Sequence, residues 1–361
     1  MYSPMITRTL QNMTRQVLAG MPLSRQQAEW IVQHLEEQHL HDLFQGASRL
    51  RDAFVGRGVR CCSIVAAKVG LCDQDCVFCS QSAHYATHVK GETLLSAEEV
   101  YRACREAAAN GARCFGIVSS GLGPTDEEIE SWGPTFQRVR SDGDVGLCAS
   151  LGVVTDRQAR RLAELGVLRY NHNLQTSRRH FSSIVSTHIY DDRLATLRNL
   201  RAAGIELCSG ALFGMGETWS DRLDLAFELR DLNPEVVPLN FLIPIPGTPL
   251  AAAPPLPPAE CLKIIAVYRF ILPMTDIKIA GGRLTQLGDL HSRIFAAGAS
   301  GFLIGNYLTT CGRPPAEDHQ MLRDLGLSVQ DHIPITGVIP RSPSCDAVND
   351  RPFDSAASNA T

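Results

Sequence analysis

The stretch that decides the fold is VRCCSIVAAKVGLCDQDCVFCSQ, which runs from residue 59 to residue 81. Its first nine residues are rich in Val, Ile, Ala and Cys and predict a buried strand. The loop that follows carries three cysteines and contains no G-x-G-x-x-G phosphate turn. The lack of that turn favours a closed barrel; a doubly wound open sheet remains the alternative.

Further along the chain, strand-like runs alternate with amphipathic helical stretches. Several of these helical stretches begin with Ser, Thr or Asp and end with Gly, as helix capping prefers. After the first strand the strand-like runs are ARCFGIVSS, VGLCASLG, VLRYNHNL, IELCSGALFG, VVPLNFLIP, DIKIAGG and GFLIG. Eight strands separated by helices over roughly 250 residues predict an α/β protein built as a (β/α)8 TIM-type barrel.

The two ends of the chain differ from this alternating middle. The stretch PLSRQQAEWIVQHL reads as a helix start, with Ser24 as N-cap and Gln27 three residues later. We therefore expect an N-terminal helical extension over residues 1–50 and the barrel over residues 51–330. Residues 331–361 are rich in Pro, Ser and Asp and are predicted to form a disordered tail.

Composition excludes some classes of function. The net charge of −4 argues against a basic nucleic-acid-binding surface. No run of 18 apolar residues is present, so no helix is expected to span a membrane. The first residues resemble a transit peptide only weakly, because helical structure is predicted to begin early, and a cytoplasmic location is expected. In that compartment the twelve cysteines are expected to be reduced thiols, metal ligands or core residues.

The three cysteines of the loop, Cys72, Cys76 and Cys79, have the spacing Cys-x3-Cys-x2-Cys. Structural zinc sites usually close with four ligands in paired Cys-x2-Cys halves, and no matching pair is present. A [4Fe–4S] cluster normally takes four thiolates. Three thiolates would leave one iron open to bind a substrate or cofactor.

This loop resembles that of the radical S-adenosylmethionine enzymes. The resemblance implies that a [4Fe–4S] cluster binds S-adenosylmethionine at its open iron. An electron from the cluster would then cleave the cofactor to methionine and a 5′-deoxyadenosyl radical. The spacing alone indicates only a radical enzyme of unspecified substrate.

Other motifs narrow the resemblance to the biotin synthase family, over residues 17–329. They are RYNHNLQTS, STHIYDDRL, GIELCSGALFGMGET, VPLNFLIPIPGTPL, IKIAGGR and YLTTCGRPPAEDHQMLRDLGL. The resemblance implies sulfur insertion into dethiobiotin, with sulfur from an auxiliary [2Fe–2S] cluster held by three cysteines and an arginine. It also implies a homodimer that receives electrons from a small protein such as flavodoxin or ferredoxin.

Site residues follow from the resemblance, position by position. Cys72, Cys76 and Cys79 match the ligands of the first cluster. Residues that match contacts to S-adenosylmethionine are Phe78, Asn173, Gln175 and His188, and residues that match contacts to dethiobiotin are Asn171 and Asn240. Gln175 departs from the Asp or Asn common in the family, and His188 stands where some members have Arg.

For the auxiliary cluster, Cys148, Cys208 and Arg283 match the family motifs, and each is expected on a barrel strand. At the remaining ligand position a gapless match places Gly116. Cys114 lies on the same face of the strand, about 6.6 Å away. A bulge could bring Cys114 to the site, the cluster could be bound differently, or Cys114 could only pack; we expect it to be a ligand.

The remaining cysteines are expected to pack in the core or lie at the surface. They are Cys61, Cys62, Cys104, Cys261, Cys311 and Cys345. Two other functions stay open at this point: a different radical S-adenosylmethionine enzyme with another substrate or auxiliary cluster, and a non-catalytic iron–sulfur carrier.

Overall fold

Eight parallel strands close into a barrel in the computed structural model, which describes residues 3–89, 91, 93–307 and 312–330. Each strand pairs with the next, and the last pairs with the first. This confirms the predicted (β/α)8 barrel. The strands are β1 (Gly58–Val69), β2 (Cys114–Ser119), β3 (Gly146–Ser150), β4 (Arg169–Asn171), β5 (Glu206–Cys208), β6 (Val236–Phe241), β7 (Asp276–Ile279) and β8 (Gly301–Leu303).

Three short strands extend this sheet. Ala211–Phe213 follows β5 after two residues and pairs with β6. Thr93–Leu94 runs antiparallel to the end of β1, and Ser328–Val329 runs parallel to its beginning. β1 has 12 residues and is the longest strand described. Its pairings with these two short strands extend the sheet beyond the barrel at both ends of β1.

Helices surround the barrel, and several begin at a side chain that caps them. Ser24 forms a capping box with Gln27, as predicted. The helices are α1 (Ser3–Leu18), α2 (Arg25–His34), α3 (Leu40–Phe54), α4 (Ala97–Ala109), α5 (Asp126–Asp142), α6 (Asp156–Glu164), α7 (Arg178–Phe181), α8 (Tyr190–Ala202), α9 (Trp219–Leu232), α10 (Pro258–Ile271), α11 (Arg283–Leu287) and α12 (Pro315–Asp324). Turns of 3-10 helix lie at Glu37–His39 and Gly288–Ile294.

The three N-terminal helices share one apolar core with the barrel. At Gly46 of α3 an added Cβ would lie 2.6 Å from both the Phe270 ring of α10 and Thr14 of α1. Arg51 of α3 donates to the carbonyl of Phe295 at 2.7 Å. The domain bounds given above stay predictions, and the predicted tail at 331–361 lies outside the described residues.

Two local predictions are corrected. The amphipathic stretch LGDLHSRIFAAGA, residues 287–299, is predicted as one of the helices between strands but forms a turn of 3-10 helix over Gly288–Ile294. Arg283 was expected on a barrel strand but is the first residue of α11. β7 ends at Ile279, and Gly282 precedes Arg283 with φ of +80°. A Cβ at Gly282 would lie 2.1 Å from the carbonyl oxygen of Phe241, so only glycine fits this turn.

Within the described ranges, no helix combines the length and apolar character needed to cross a bilayer.

Candidate functional site

The three-cysteine loop begins at the carboxyl end of β1, on the face of the barrel where parallel α/β barrels carry their sites. The chain leaves the strand through two left-handed residues, Gly70 with φ of +91° and Leu71 with φ of +49°. Ser120, which follows β2, donates its hydroxyl to the carbonyl of Gly70 at 2.8 Å. The loop is therefore anchored to the barrel directly before Cys72.

Hydrogen bonds then hold the loop in one conformation. The backbone of Cys72 bonds to Gln81 and Ala83 at 3.0 and 2.7 Å, and Cys79 N donates to Cys76 O at 3.0 Å. The Asp75 carboxylate accepts from the backbone amides of Ser186 and Thr187 at 2.9 and 3.2 Å. Partial burial opposes ionisation of Asp75, but hydrogen bonds from the Ser186 and Thr187 hydroxyls, together with those from the two amides, outweigh it and place its pKa below the usual range.

The loop thiols are only partly exposed. Burial raises the pKa of Cys76 to about 12, although Arg193 opposes that shift, and burial also raises the pKa of Cys79. In the part of the chain that the structure describes, no three His, Cys, Asp or Glu side chains converge closely enough to hold a single metal ion. The ten cysteines described are free of disulfides. The candidate metal ligands at this end of the barrel are therefore the three thiols of an anchored loop.

Gly70 offers a test of how tightly the loop is held. A Cβ at Gly70 would lie 2.2 Å from the carbonyl oxygen of Gly91, whereas a Cβ at Gly56, with nearly the same φ of +92°, meets nothing within 4 Å. We expect Gly70→Ala to lower the free energy of unfolding by at least about 1 kcal/mol more than Gly56→Ala. Chemical denaturation of both variants measures the difference. Equal losses would show that backbone strain alone matters at Gly70.

A half-buried arginine lies beside the loop and was not singled out from the sequence. Arg193 of α8 donates to the carbonyl of Asn173 at 2.9 Å and to Nε2 of His188 at 2.9 Å. His188 in turn donates from Nδ1 to Gln74 in the loop at 2.8 Å. Burial, together with Arg193, lowers the pKa of His188 to about 4, so the ring is neutral at pH 7.

The Nε atom of Arg193 is buried without a hydrogen-bond partner. A guanidinium with a free N–H donor can bind an anionic ligand group such as a carboxylate, whose oxygens accept the hydrogen bond. The sequence signal for Arg193 is the motif STHIYDDRL, which contains both His188 and Arg193. Only His188 was predicted from it as a contact of the cofactor.

Gln175 and Asn173 follow β4. Asn173 lines the barrel cavity and accepts from the backbone amide of Gly210 at 3.1 Å. Gln175 has φ of +71°, a left-handed conformation that Asn and Asp adopt more readily than other non-glycine residues. The backbone at this position therefore explains why an Asp or Asn was expected there. Phe78 is half-buried against the core, close in sequence to Cys79.

A second group of thiols lies inside the barrel, in a cavity below the loop. Four cysteines from four strands line it: Cys62 of β1, Cys114 of β2, Cys148 of β3 and Cys208 of β5. The sulfur atoms of Cys114 and Cys148 are 2.8 Å apart. The Cys62 thiol hydrogen-bonds with that of Cys114. Hydrogen bonding to Cys148 and burial, only partly opposed by the bond to Cys62, raise the pKa of Cys114 to about 12.

Cys114 meets Cys148 without a bulge. The pairing of β2 with β3 runs unbroken from Cys114 opposite Gly146 to Val118 opposite Ser150. Cys148 stands opposite Gly116, but its side chain is directed towards the beginning of β3, so that its sulfur lies 3.9 Å from the carbonyl oxygen of Gly146. The Cys148 side chain therefore makes up the offset between the two positions, and no bulge is needed to bring Cys114 to it.

Two cations face these thiols. Lys278 of β7 lies with its Nζ atom 3.8 Å from the sulfur of Cys208, and Arg169 of β4 lies 3.8 Å from the sulfur of Cys114. Arg169 also pairs with Glu206 of β5. Burial opposes both charges, but the thiols, and Glu206 for Arg169, outweigh it and raise both pKa values.

Asn171 and Asn240 line the same cavity but are held differently. Asn171 donates to the hydroxyl of Ser150 at 3.3 Å, while its amide oxygen is buried without a partner. Asn240 uses both ends of its amide, donating to Ala211 O at 2.9 Å and accepting from Gly281 N at 2.8 Å. Only Asn171 thus offers the cavity an unused acceptor.

Arg283 lies outside the cavity that the four thiols line. Its side chain is 1% exposed and donates to both carboxylate oxygens of Asp318, at 3.0 and 2.7 Å. The guanidinium also stacks over the ring of Phe302, 4.7 Å from its centre. Arg283 is not among the residues that line the cavity with the four thiols.

Two family models match the chain. The Radical SAM superfamily model covers residues 69–229, from the three-cysteine loop to α9. The Biotin and Thiamin Synthesis associated domain covers residues 238–328. Together they span the barrel from the end of β1 to the last short strand.

Curated relatives match over almost their whole length. The biotin synthase of Heliobacterium modesticaldum is 49% identical over 87% of this chain and 96% of its own. That of Geobacter sulfurreducens is 45% identical over 89% of this chain and 97% of its own. Among solved structures, methylornithine synthase (PylB) superposes with a TM-score of 0.78 at 18% identity, over 88% of this chain and 97% of its own. At that identity the likeness concerns the fold alone.

Proposed function

This chain belongs to the biotin synthase family, and from that membership we propose how its own residues carry out sulfur insertion into dethiobiotin. The reaction replaces two unactivated C–H bonds with C–S bonds, which acid–base groups cannot do without a radical cofactor. The observation that carries the assignment of residues is the presence of two separate thiol groups. One lies on the loop at the mouth of the barrel, and the other lines the cavity below it.

Cys72, Cys76 and Cys79 are the proposed ligands of the [4Fe–4S] cluster that radical S-adenosylmethionine enzymes carry. With S-adenosylmethionine bound, the cluster supplies the radical that removes hydrogen from carbon. The chain fixes the loop through Gly70 and Asp75, so the three thiols are arranged before the cluster binds. No carboxylate is proposed as a fourth ligand, which leaves one coordination position for the cofactor.

S-adenosylmethionine is proposed to lie between the loop and the carboxyl end of β4. Arg193 would bind its carboxylate through the free Nε donor, and neutral His188 holds Arg193 in place. Asn173 and Gln175 would contact the amino acid and ribose parts. Phe78 would pack beside the adenine, as the family resemblance implies.

Dethiobiotin is proposed to occupy the cavity between the two thiol groups. Asn171 would donate to and accept from its ureido group, because the amide oxygen of Asn171 has no partner within the chain. Asn240 is a positioning residue in this proposal, since both ends of its amide bind the backbone around the cavity.

Replacement of Asn171 by alanine is expected to weaken dethiobiotin binding by about 1–3 kcal/mol, because one directed hydrogen bond is lost in a largely dry pocket. Asn240→Ala is expected to lower the melting temperature as well, since Gly281 N and Ala211 O lose their partner. Isothermal titration with dethiobiotin and with S-adenosylmethionine separates the two ligands. Unchanged dethiobiotin affinity in Asn171→Ala would remove this residue from the substrate site.

The sulfur source is proposed to be an auxiliary cluster in the cavity, with Cys114, Cys148 and Cys208 among its ligands. A [2Fe–2S] cluster is the type that the family resemblance implies. The cavity fits such a group in its chemistry, because it combines soft thiol ligands with two cations that balance thiolate charge. Such thiols need not converge on one point, since each iron of a cluster takes its own ligands.

Further parts of the proposal rest on the family resemblance, for the electron donor and the homodimer, and on the sequence pattern, for the location and the domain bounds. A small electron-transfer protein such as flavodoxin or ferredoxin would reduce the first cluster. The enzyme would act as a homodimer in the cytoplasm. Residues 1–50 would form an extension to the barrel of residues 51–330.

The test is anaerobic incubation of the reconstituted chain with reductant, S-adenosylmethionine and dethiobiotin, followed by mass spectrometry. We expect biotin, with one 5′-deoxyadenosine for each C–H bond broken, and stimulation of cofactor cleavage by dethiobiotin. Cofactor cleavage without biotin would indicate a radical enzyme with another substrate. No 5′-deoxyadenosine at all would indicate an iron–sulfur carrier.

A further inference from the structure

We infer that Cys62 is a fourth cysteine ligand of the auxiliary cluster, so that the cavity binds this cluster through four thiolates and no arginine. The inference rests on the proposed function, which places an auxiliary cluster in this cavity. From the sequence, Cys62 was expected to pack in the core or lie at the surface, because it lies outside every ligand motif.

The register of the strands brings Cys62 to the other thiols. In the parallel pairing of β1 with β2, Cys62 stands directly opposite Cys114. Its thiol hydrogen-bonds with Cys114, whose sulfur lies 2.8 Å from that of Cys148. Three sulfurs from three adjacent strands therefore form a continuous row, with Cys208 on the same cavity wall.

The neighbouring residue shows what a packing cysteine looks like in this strand. Cys61 faces outward from the barrel and lies in the apolar core between strands and helices. Cys62 belongs instead to a small inner cluster with Cys114, Ala280 and Leu303. The strand thus carries two adjacent cysteines with opposite surroundings, which provides a matched control.

Charge supports a set of four thiolates. Lys278 is half-buried on the cavity wall, and in the described part of the chain its ammonium forms no ion pair with a carboxylate; it lies instead 3.8 Å from the sulfur of Cys208. Taking an ammonium even partly out of water is costly without a negative partner. Thiolates bound to a cluster would provide that partner, whereas neutral packing thiols would not.

Arg283 is unavailable for ligation. Both of its terminal nitrogens donate to Asp318, and the Asp318 carboxylate is fully buried. Removing Arg283 from this pair to reach the cavity would leave an unpaired buried carboxylate. Four cysteines complete the ligand set that iron–sulfur clusters ordinarily take, without this arginine.

The test uses the full chain with Cys72, Cys76 and Cys79 changed to alanine, so that only the auxiliary cluster can bind. Cys62→Ala, Cys61→Ala and Cys148→Ala are added separately, and each protein is reconstituted anaerobically. Iron and sulfide are counted, and the visible and Mössbauer spectra are recorded. Circular dichroism checks that each variant is folded.

We expect Cys62→Ala to lose at least half of the bound iron, as Cys148→Ala does, while Cys61→Ala keeps it. If Cys62→Ala does not fold, Cys62→Ser is expected to fold and to bind a cluster with an altered visible spectrum. Retention of the parent's iron and spectrum in the Cys62 variants would overturn the inference while leaving the auxiliary site in place. No iron in the parent itself would overturn the auxiliary site together with this inference.

Discussion

Replacement of Cys76 by alanine is expected to abolish the cleavage of S-adenosylmethionine while leaving the barrel folded. In the proposal Cys76 is one of three thiolates that hold the [4Fe–4S] cluster, and two thiolates would not be enough to hold it. The side chain lies on a loop and is only half-buried against the core, so the free energy of unfolding should change by no more than about 1 kcal/mol. The same result is expected for Cys72→Ala and Cys79→Ala. Anaerobic assay of 5′-deoxyadenosine, with denaturation of the same samples, measures both effects.

Cys104→Ala is the matched control for this prediction. Cys104 is buried in α4, packs in the core and belongs to neither of the two groups of thiols. Its replacement should cost stability and leave cofactor cleavage unchanged, which is the opposite pattern. A Cys76→Ala protein that makes 5′-deoxyadenosine at the parent rate would remove Cys76 from the cluster.

Replacement of Cys148 or Cys114 by alanine is expected to abolish biotin formation while cofactor cleavage continues. The loop ligands stay intact in these variants, but the proposed sulfur source loses a ligand. Since the sulfurs of Cys114 and Cys148 lie 2.8 Å apart, the two variants should behave alike. Parallel assays of 5′-deoxyadenosine and biotin on one sample separate the two activities.

The control here is Cys261→Ala, a cysteine buried in α10 away from the cavity. It should retain biotin formation. If Cys114→Ala retains both clusters and forms biotin while Cys148→Ala does not, Cys114 is a packing residue. The auxiliary site would then be smaller than the cavity suggests.

Much of the fold was accessible from the sequence because its signals are local. Alternating apolar runs and capped helices predicted eight strands, and the spacing of Cys72, Cys76 and Cys79 predicted the loop. The Ser24 capping box was read correctly from two residues. Cys61, Cys104 and Cys261 were expected to pack in the core or lie at the surface, and the structure places all three in the core.

The cavity was less accessible because its contacts depend on register between strands far apart in sequence. Cys62 lies opposite Cys114, and Lys278 reaches Cys208, only after the barrel closes. Arg283, the last residue of the motif IKIAGGR, was predicted as a cluster ligand. The residue of this motif that lines the cavity with a charged group is instead Lys278, near its beginning. The strand ends between them at Ile279, and a left-handed Gly282 turns the chain into α11.

The most direct test of the account traces the sulfur atom. The chain is reconstituted with iron and isotopically heavy sulfide and transferred to sulfide-free buffer. It is then incubated anaerobically with reductant, S-adenosylmethionine and dethiobiotin for one turnover. The account predicts biotin that carries the heavy sulfur, and none from Cys148→Ala. Biotin of ordinary mass from the labelled enzyme, or no biotin beside ample 5′-deoxyadenosine, would contradict it.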